Sequence, residues 1–293
     1  MKDVEFLSVF THAGRGGSPC PLVTDAVGAT ESDMQGVAKQ FGFEAAFVFP
    51  SGDADHDFLF RYFVPRHEME MCGHATIGAL WALAREGRLA GDTVRVKTRS
   101  GAVTGFVKKF GNDWNVEITQ PPGKVIPLNS ERTAAVLAAL GVGEGSLAGL
   151  PVSNAVTSRI KTLVPLRDPD QLNALAPAAA DVEAVCNAVG STGLYPYVVH
   201  DAEAQLFEAR QFPKSSGYLE DAATGIAATA LTFGLLENGL VARDDRVIRV
   251  LQGRAMGRLS EIHVRIAFAG DYPAGCLLGG AVSRSSTMPS AGS

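Results

Sequence analysis

Two stretches of the chain carry apolar residues around the whole circumference of a helix, one from about Ala75 to Arg85 and one from about Gly225 to Glu237. Both are rich in Ala and Leu and nearly free of polar side chains. A surface helix shows a single apolar stripe, so a helix without a polar face has to be buried on every side. Each of these helices must therefore be enclosed by the rest of its own half of the chain.

The segments around the two helices match as well. Arg61-Tyr62-Phe63-Val64-Pro65, Glu68 and Cys72-Gly73-His74-Ala75-Thr76 lead into the first. Arg210-Gln211-Phe212-Pro213, Glu220-Asp221 and Ala222-Ala223-Thr224-Gly225 lead into the second. Glu86-Gly87-Arg88-Leu89 and Glu237-Asn238-Gly239-Leu240 lead out, each towards a strand, around Val94 and around Val247. A repeat spanning half the chain is a duplicated domain, not a solenoid. Two unrelated halves could share strand–helix–strand order, but the recurrence of Arg-x-Phe at the matched place favours duplication. Alternation in Glu5–Phe10, Thr93–Lys97 and Glu261–Ile266 marks strands. The expected fold is α+β: two pseudo-symmetric domains, each a mixed, largely antiparallel sheet wrapped around its own central buried helix. Pro121-Pro122-Gly123 breaks regular structure and places the domains at 1–122 and 123–293. The last ~15 residues either pair back onto the first half or fray, with Ser285 to Ser293 read as a polar tail.

Composition bounds what such a chain does. With 46% hydrophobic and 19% charged residues over 293 positions, it has material for a large core. A net charge of -5 argues against nucleic acid, whose phosphates need a basic face. Cys20, Cys72, Cys186 and Cys276 are widely spaced and form no Cys-x-x-Cys pair, so no disulfide framework is expected and a reducing cytoplasm is the default. The start lacks a signal-peptide pattern, and no uncharged apolar run is long enough to span a membrane.

The duplication also points to a site. Gly73 and Gly225 stand at the starts of the two buried helices. A helix N-terminus offers unpaired N–H groups and about half a positive charge, and glycine lets a ligand approach the backbone. Two such ends, facing each other across a cleft, would hold a carboxylate without Arg or Lys and stabilise charge that builds on it during proton abstraction. Glu44 lies in the apolar run Phe41–Phe49. Buried there, it would find donors or rise in pKa, which suits a group that gives and takes protons; a glutamate at a strand end facing water fits the same pattern. His74 reads as an orienting donor or second acid/base group, or as a capping or core histidine. Asp221 reads as a helix cap or as a site residue. Cys72 would be an activated thiol at a helix start, yet its matched positions, Ala222 and Ala223, supply no second thiol, and a small buried cysteine is the plainer reading.

Together these residues resemble the PhzF-like (phenazine biosynthesis isomerase-like) family within the diaminopimelate-epimerase fold. Gly17-Ser18-Pro19 is similar to the family's early Gly-Asn-Pro, and Phe43-Glu44-Ala45-Ala46-Phe47-Val48 to its Ser-Glu-Thr-x-Phe-Val. Cys72-Gly73-His74-Ala75-Thr76-Ile77-Gly78 resembles its Gly-His-(Pro/Ala)-Thr-x-Gly, and Glu220-Asp221-Ala222-Ala223-Thr224-Gly225 its Glu-Asp-Pro-x-Thr-Gly-Ser. Gln252-Gly253-Arg254-Ala255-Met256-Gly257-Arg258 resembles its Gln-Gly-x-x-Met-Gly-Arg. The resemblance implies a cofactor-independent, metal-free isomerase that shifts a proton on a small carboxylate substrate, working as a homodimer. It implies Glu44 as the acid/base group, His74 and Asp221 as catalytic partners, and Gly73 and Gly225 as carboxylate donors, with Cys72, Ser18 and Ile226 beside the substrate. Ser18 replaces the usual Asn, Ala222 a Pro, Ile226 a substrate-contacting Ser, and Leu259 a common Pro. Ile226 makes its end of the pocket apolar, which argues against the phenazine precursor itself. An epimerase or racemase using Cys72, or a non-catalytic carboxylate binder, are the alternatives.

Three weaker motifs are set aside. Gly141-x-Gly143-x-Gly145 follows a helical run, not a strand. Ser158-Arg159-Ile160-Lys161 matches Ser-x-x-Lys without companion motifs. His67-Glu68 lacks the second His of a zinc motif, so no metal is expected.

Overall fold

The same sequence of elements occurs twice in the computed structural model, which describes residues 3–215 and 218–285. The first series is β1 (Glu5–Val9), β2 (Ser18–Val23), α1 (Glu31–Phe41), β3 (Ala45–Pro50), β4 (Phe58–Phe63), β5 (Glu68–Met69), α2 (Gly73–Arg85), β6 (Thr93–Thr98), β7 (Gly101–Phe110) and β8 (Asp113–Gln120). After β9 (Lys124–Pro127) and α3 (Ser130–Leu140) the second series is β10 (Ser153–Val156), β11 (Ile160–Pro165), α4 (Pro169–Ala174), α5 (Ala179–Val189), β12 (Gly193–Asp201), β13 (Leu206–Ala209), β14 (Phe212–Pro213), α6 (Gly225–Glu237), β15 (Ile248–Gln252), β16 (Ser260–Ala269) and β17 (Tyr272–Gly279). A last strand, β18 (Val282–Arg284), pairs with β1. The chain divides into one unit running to Thr119 and resuming at Leu278, and a second from Gln120 to Leu277. Most of the expected polar tail, from position 286 on, lies outside the described residues.

In the first unit the strands run β18-β1-β2-β3-β4-β6-β7-β8; β2–β3 and β4–β6 are parallel and the other neighbours antiparallel. The second unit repeats the pattern as β9-β10-β11-β12-β13-β15-β16, with β11–β12 and β13–β15 parallel. Each sheet curls around its own helix. α2 packs against β1, β2, β3, β7 and β18, and α6 against β9, β10, β11 and β16. Ile77, Leu80 and Leu83 of α2 and Leu231 and Leu235 of α6 are fully buried, and each such side chain contributes about 1.5–3 kcal/mol.

The opposite faces carry amphipathic helices. α1 is started by a capping box between Thr30 and Asp33 and stopped by Gly42 in the left-handed conformation. It lays Met34, Val37 and Ala38 on Val23, Ala45, Phe47 and Phe63. In the second unit α3 and α5 cover Val164, Leu194 and Phe212. The apolar run Phe41–Phe49 is thus three pieces: a helix end, a turn, and β3, with Glu44 just ahead of the strand.

The repeat extends to individual contacts. Arg61 forks onto Glu68 with two bonds of 2.7 Å and lies 5.2 Å over the Phe63 ring. Arg210 forks onto Glu220 at 2.9 and 2.6 Å and lies 4.8 Å over Phe212. The recurring Arg-x-Phe therefore pins the sheet to the loop before the central helix in both units. Bidentate geometry makes this a directional tie, not a bare charge pair.

Candidate active site

Both central helices begin without a side-chain cap. Cys72, the N-cap of α2, has extended backbone and makes no side-chain cap bond; Thr224 does the same for α6. The first intrahelical acceptors are the Cys72 and Thr224 carbonyls, reached from Thr76 N and from Ala227 and Ala228 N. The amides of Gly73, His74 and Ala75, and of Gly225 and Ile226, have no acceptor among the described residues. These are donors of the kind that bind anions at helix starts.

In the first unit, three groups accompany that helix start. Glu44 is half-buried. Its neighbours Ala45 and Phe47 join the α1 core, so alternation puts Glu44 on the α2 side of the sheet. Its charge helps to push up the thiol pKa of Cys20, although burial is the larger cause. It has no hydrogen-bond or ion-pair partner among the described residues. The Cys72 thiol lies 3.4 Å from His74 Nδ1, close enough for a sulfur–nitrogen hydrogen bond. Behind them Tyr62 and Thr76 share a 2.7 Å hydroxyl bond, and Thr76 Oγ1 donates to the Cys72 carbonyl at 2.7 Å, which fixes the helix start. Ser18 opens β2 and is buried. Gly17 before it has φ 78°, and a Cβ there would come within 2.6 Å of the Val9 carbonyl, so only glycine fits.

In the second unit Asp221 accepts a 2.5 Å bond from Thr224 Oγ1, shaping the turn into α6. Gln252 locks that turn: its Nε2 donates to the Asp221 carbonyl at 2.7 Å, and its Oε1 accepts from Tyr195 at 2.9 Å and from Thr224 N at 3.3 Å. Thr224, not Asp221, is the N-cap residue. Ile226 is half-buried on the first turn. Tyr62, Thr76, Tyr195 and Gln252 were not singled out from sequence as site residues. Thr76 and Gln252 sit inside quoted motifs, and that was the available signal.

The cysteines separate by environment. All four are free. Burial pushes Cys186 up to about 11, Cys276 up to about 12 and Cys20 higher still, so these thiols stay protonated near neutrality. Among the described residues no three His, Cys, Asp or Glu side chains gather as metal ligands, and no helix is long and apolar enough to cross a membrane. A groove of about 350 Å³ in the second unit is lined by Ile126, Asn129, Arg132, Asn154 and Ile160 among others, and holds none of the site residues.

A family model of phenazine biosynthesis-like proteins matches residues 7–285. An uncharacterized isomerase, YddE of Escherichia coli K12, is 30% identical over 275 residues, covering 92% of each chain. An uncharacterized isomerase of Clostridium acetobutylicum is 30% identical over 267 residues, 88% of each. The fold is similar to that of a phenazine biosynthesis protein of the PhzF family from Bacillus anthracis, with TM-score 0.84 at 23% identity over 96% of each chain. It is also similar to a hydroxyproline epimerase of Agrobacterium vitis, with TM-score 0.61 at 14% identity over 96% of this chain and 90% of that one.

Proposed function

Since the chain belongs to the phenazine biosynthesis-like (PhzC-PhzF) family, we propose that it is an isomerase that shifts a proton on a small carboxylate-bearing substrate by acid/base catalysis, without metal or organic cofactor. The observation that carries this reading is the state of Glu44. Glutamates that hold this fold together are paired: Glu68 with Arg61 and Arg99, Glu208 with His200 and Arg254, Glu220 with Arg210. Glu44 is half-buried and paired with nothing among the described residues. A half-buried carboxylate that no structural partner among the described residues engages is available for proton transfer.

In this reading Glu44 takes a proton from a carbon of the substrate and returns it to another. The negative charge that develops on the substrate carboxylate is met by the amides of Gly73 and Gly225. Such preorganised donors act where charge builds and need no reorganisation. His74 and Asp221 orient and polarise the substrate, while Ser18, Cys72 and Ile226 contact it. Relatives named isomerases support the reaction class. A homodimer is part of the proposal, and sedimentation reads it directly. The second reading is an epimerase in which Cys72 is the base, favoured by the 3.4 Å approach of His74 to its sulfur. A mere carboxylate binder would gain nothing from a carboxylate beside its anionic ligand.

The test is exchange of substrate hydrogen for solvent deuterium over a panel of unsaturated and cyclic amino and hydroxy acids. With Glu44→Gln, turnover is expected to fall by ~10²–10⁴-fold, the usual worth of a placed proton-transfer group, with melting temperature held. An equally active but less stable variant would sink the assignment.

A further inference from the structure

Superimposing the two strand patterns gives Glu44 a counterpart. Phe63 pairs with Ala45 in the first unit, and Phe212 with Leu194 in the second. Since Phe63 and Phe212 are the matched residues of the repeat, Glu44 corresponds to Gly193 and Tyr62 to Gln211. The parallel pairs Leu22–Ala46 and Thr162–Leu194 likewise match Cys20 to Lys161. All three second-unit positions lie on the α6 side of their sheet. Leu163 of β11 packs on Gly234 of α6, and Lys161 is two residues from it on the same face.

The chemistry at these places differs from that of the first unit. Lys161 is 5% exposed, and its ammonium has no hydrogen bond and no carboxylate within ion-pair distance among the described residues. Asp221 and Cys186 attract it at longer range and Arg159 repels it, while Asp221 is itself engaged by Thr224. Gln211 is 1% exposed, and both of its side-chain amide atoms are buried without a partner among the described residues. Tyr62 at the matched place bonds to Thr76; the residue corresponding to Thr76 is Ala228, which offers no polar atom. Gly193 joins the two groups: one residue beyond the Thr162–Leu194 pair, the register brings it next to Lys161, and a Cβ on it would come within 2.2 Å of Gln211 Nε2.

We infer that Lys161 and Gln211, set around Gly193 near the start of α6, form a subsite for a second carboxylate, so that the substrate is a dicarboxylate. Among the described residues, a lysine that is 5% exposed with no ion partner and an amide whose two polar atoms are buried with no partner are both costly. One carboxylate accepting from Lys161 Nζ and Gln211 Nε2 gives both donors a partner and leaves Gln211 Oε1 as the one group it does not serve. The inference rests on the isomerase reading for the first carboxylate, which that reading assigns to the helix amides and which leaves this full positive charge unspent.

Calorimetric titration of the whole protein with succinate and with butyrate tests it without needing turnover. The native protein is expected to prefer succinate by about tenfold or more, the worth of a charge-assisted hydrogen bond. Lys161→Met should abolish the preference while leaving butyrate binding as it was, and Gln211→Leu should reduce it. Glu44→Gln should keep it whether or not the native enzyme exchanges protons, which separates failure of the subsite from failure of the isomerase reading. Absence of a preference in the native protein, an unchanged preference in Lys161→Met, or equal loss of both ligands would overturn the subsite. Should Lys161→Met fold poorly, an unchanged preference in Gln211→Leu overturns it as well.

Discussion

Burial holds the Lys161 ammonium at a pKa of about 8, down from 10.5, against the weaker pull of Asp221. The folded chain therefore releases this proton before the unfolded chain does. Between about 8 and 10.5 the unfolded state binds more protons, so this group's contribution to stability rises with pH through that window. Below it, the buried charge costs on the order of 3 kcal/mol. Lys161→Met should be more stable than the native protein at pH 7 by up to that amount, with the advantage shrinking towards pH 10. Comparing the two proteins in a Cys186→Ala background, because Lys161 itself pulls down the raised pKa of that thiol, cancels the other buried thiols and phenols, which act equally on both. Denaturant midpoints at the two pH values measure the effect, and an advantage that does not change with pH would contradict it. Cys72 is the residue on which the two enzymatic readings part. Cys72→Ala should retain most turnover if Glu44 is the acid/base group, because the thiol then only lines the site. Near-total loss on a confirmed substrate would instead make Cys72 the base.

At the scale of elements, Pro121-Pro122-Gly123, which lies in the second unit, has a packing role. A Cβ on Gly123 would lie 2.3 and 2.4 Å from ring atoms of Phe233 on α6. The ring belongs to a buried helix and has little room to move, so Gly123→Ala should destabilise by ~1–3 kcal/mol, the usual cost of overpacking. A melting temperature unchanged from the native protein would show that the ring gives way freely. The central helices themselves could be read from sequence because a helix without a polar face has one possible surrounding. Their starts were legible as well: Gly73 and Gly225 are the first residues of α2 and α6, although in α2 the all-apolar pattern sets in only after the polar His74.

At the scale of the whole molecule, the duplicated Arg–Glu ties have unequal settings. Arg210 and Glu220 side chains are 7% and 11% exposed, and Arg210 also donates to the carbonyls of Leu172, Asn173 and Leu175 at the end of α4. Arg61 is 26% exposed and binds Glu68, which keeps Arg99 as a second partner. Arg210→Met should therefore cost ~3–5 kcal/mol, as removal of one partner from a buried pair does, and Arg61→Met distinctly less. Equal losses in a denaturant titration would mean that the two ties carry the same load. The amino-acid sequence alone was enough to determine the class of fold, its duplication, the two buried helices and the residue types gathered at their starts. Those follow from local composition and from motifs that recur in order. Only the tertiary structure decided that the Glu44 carboxylate has no partner among the described residues, that Cys72 meets His74, that Lys161 is buried and that the Gln211 side-chain amide has no partner among the described residues. Pairing depends on strands distant in the chain lying side by side in one register, and burial of a lysine runs against its own preference, so neither is written in any local pattern.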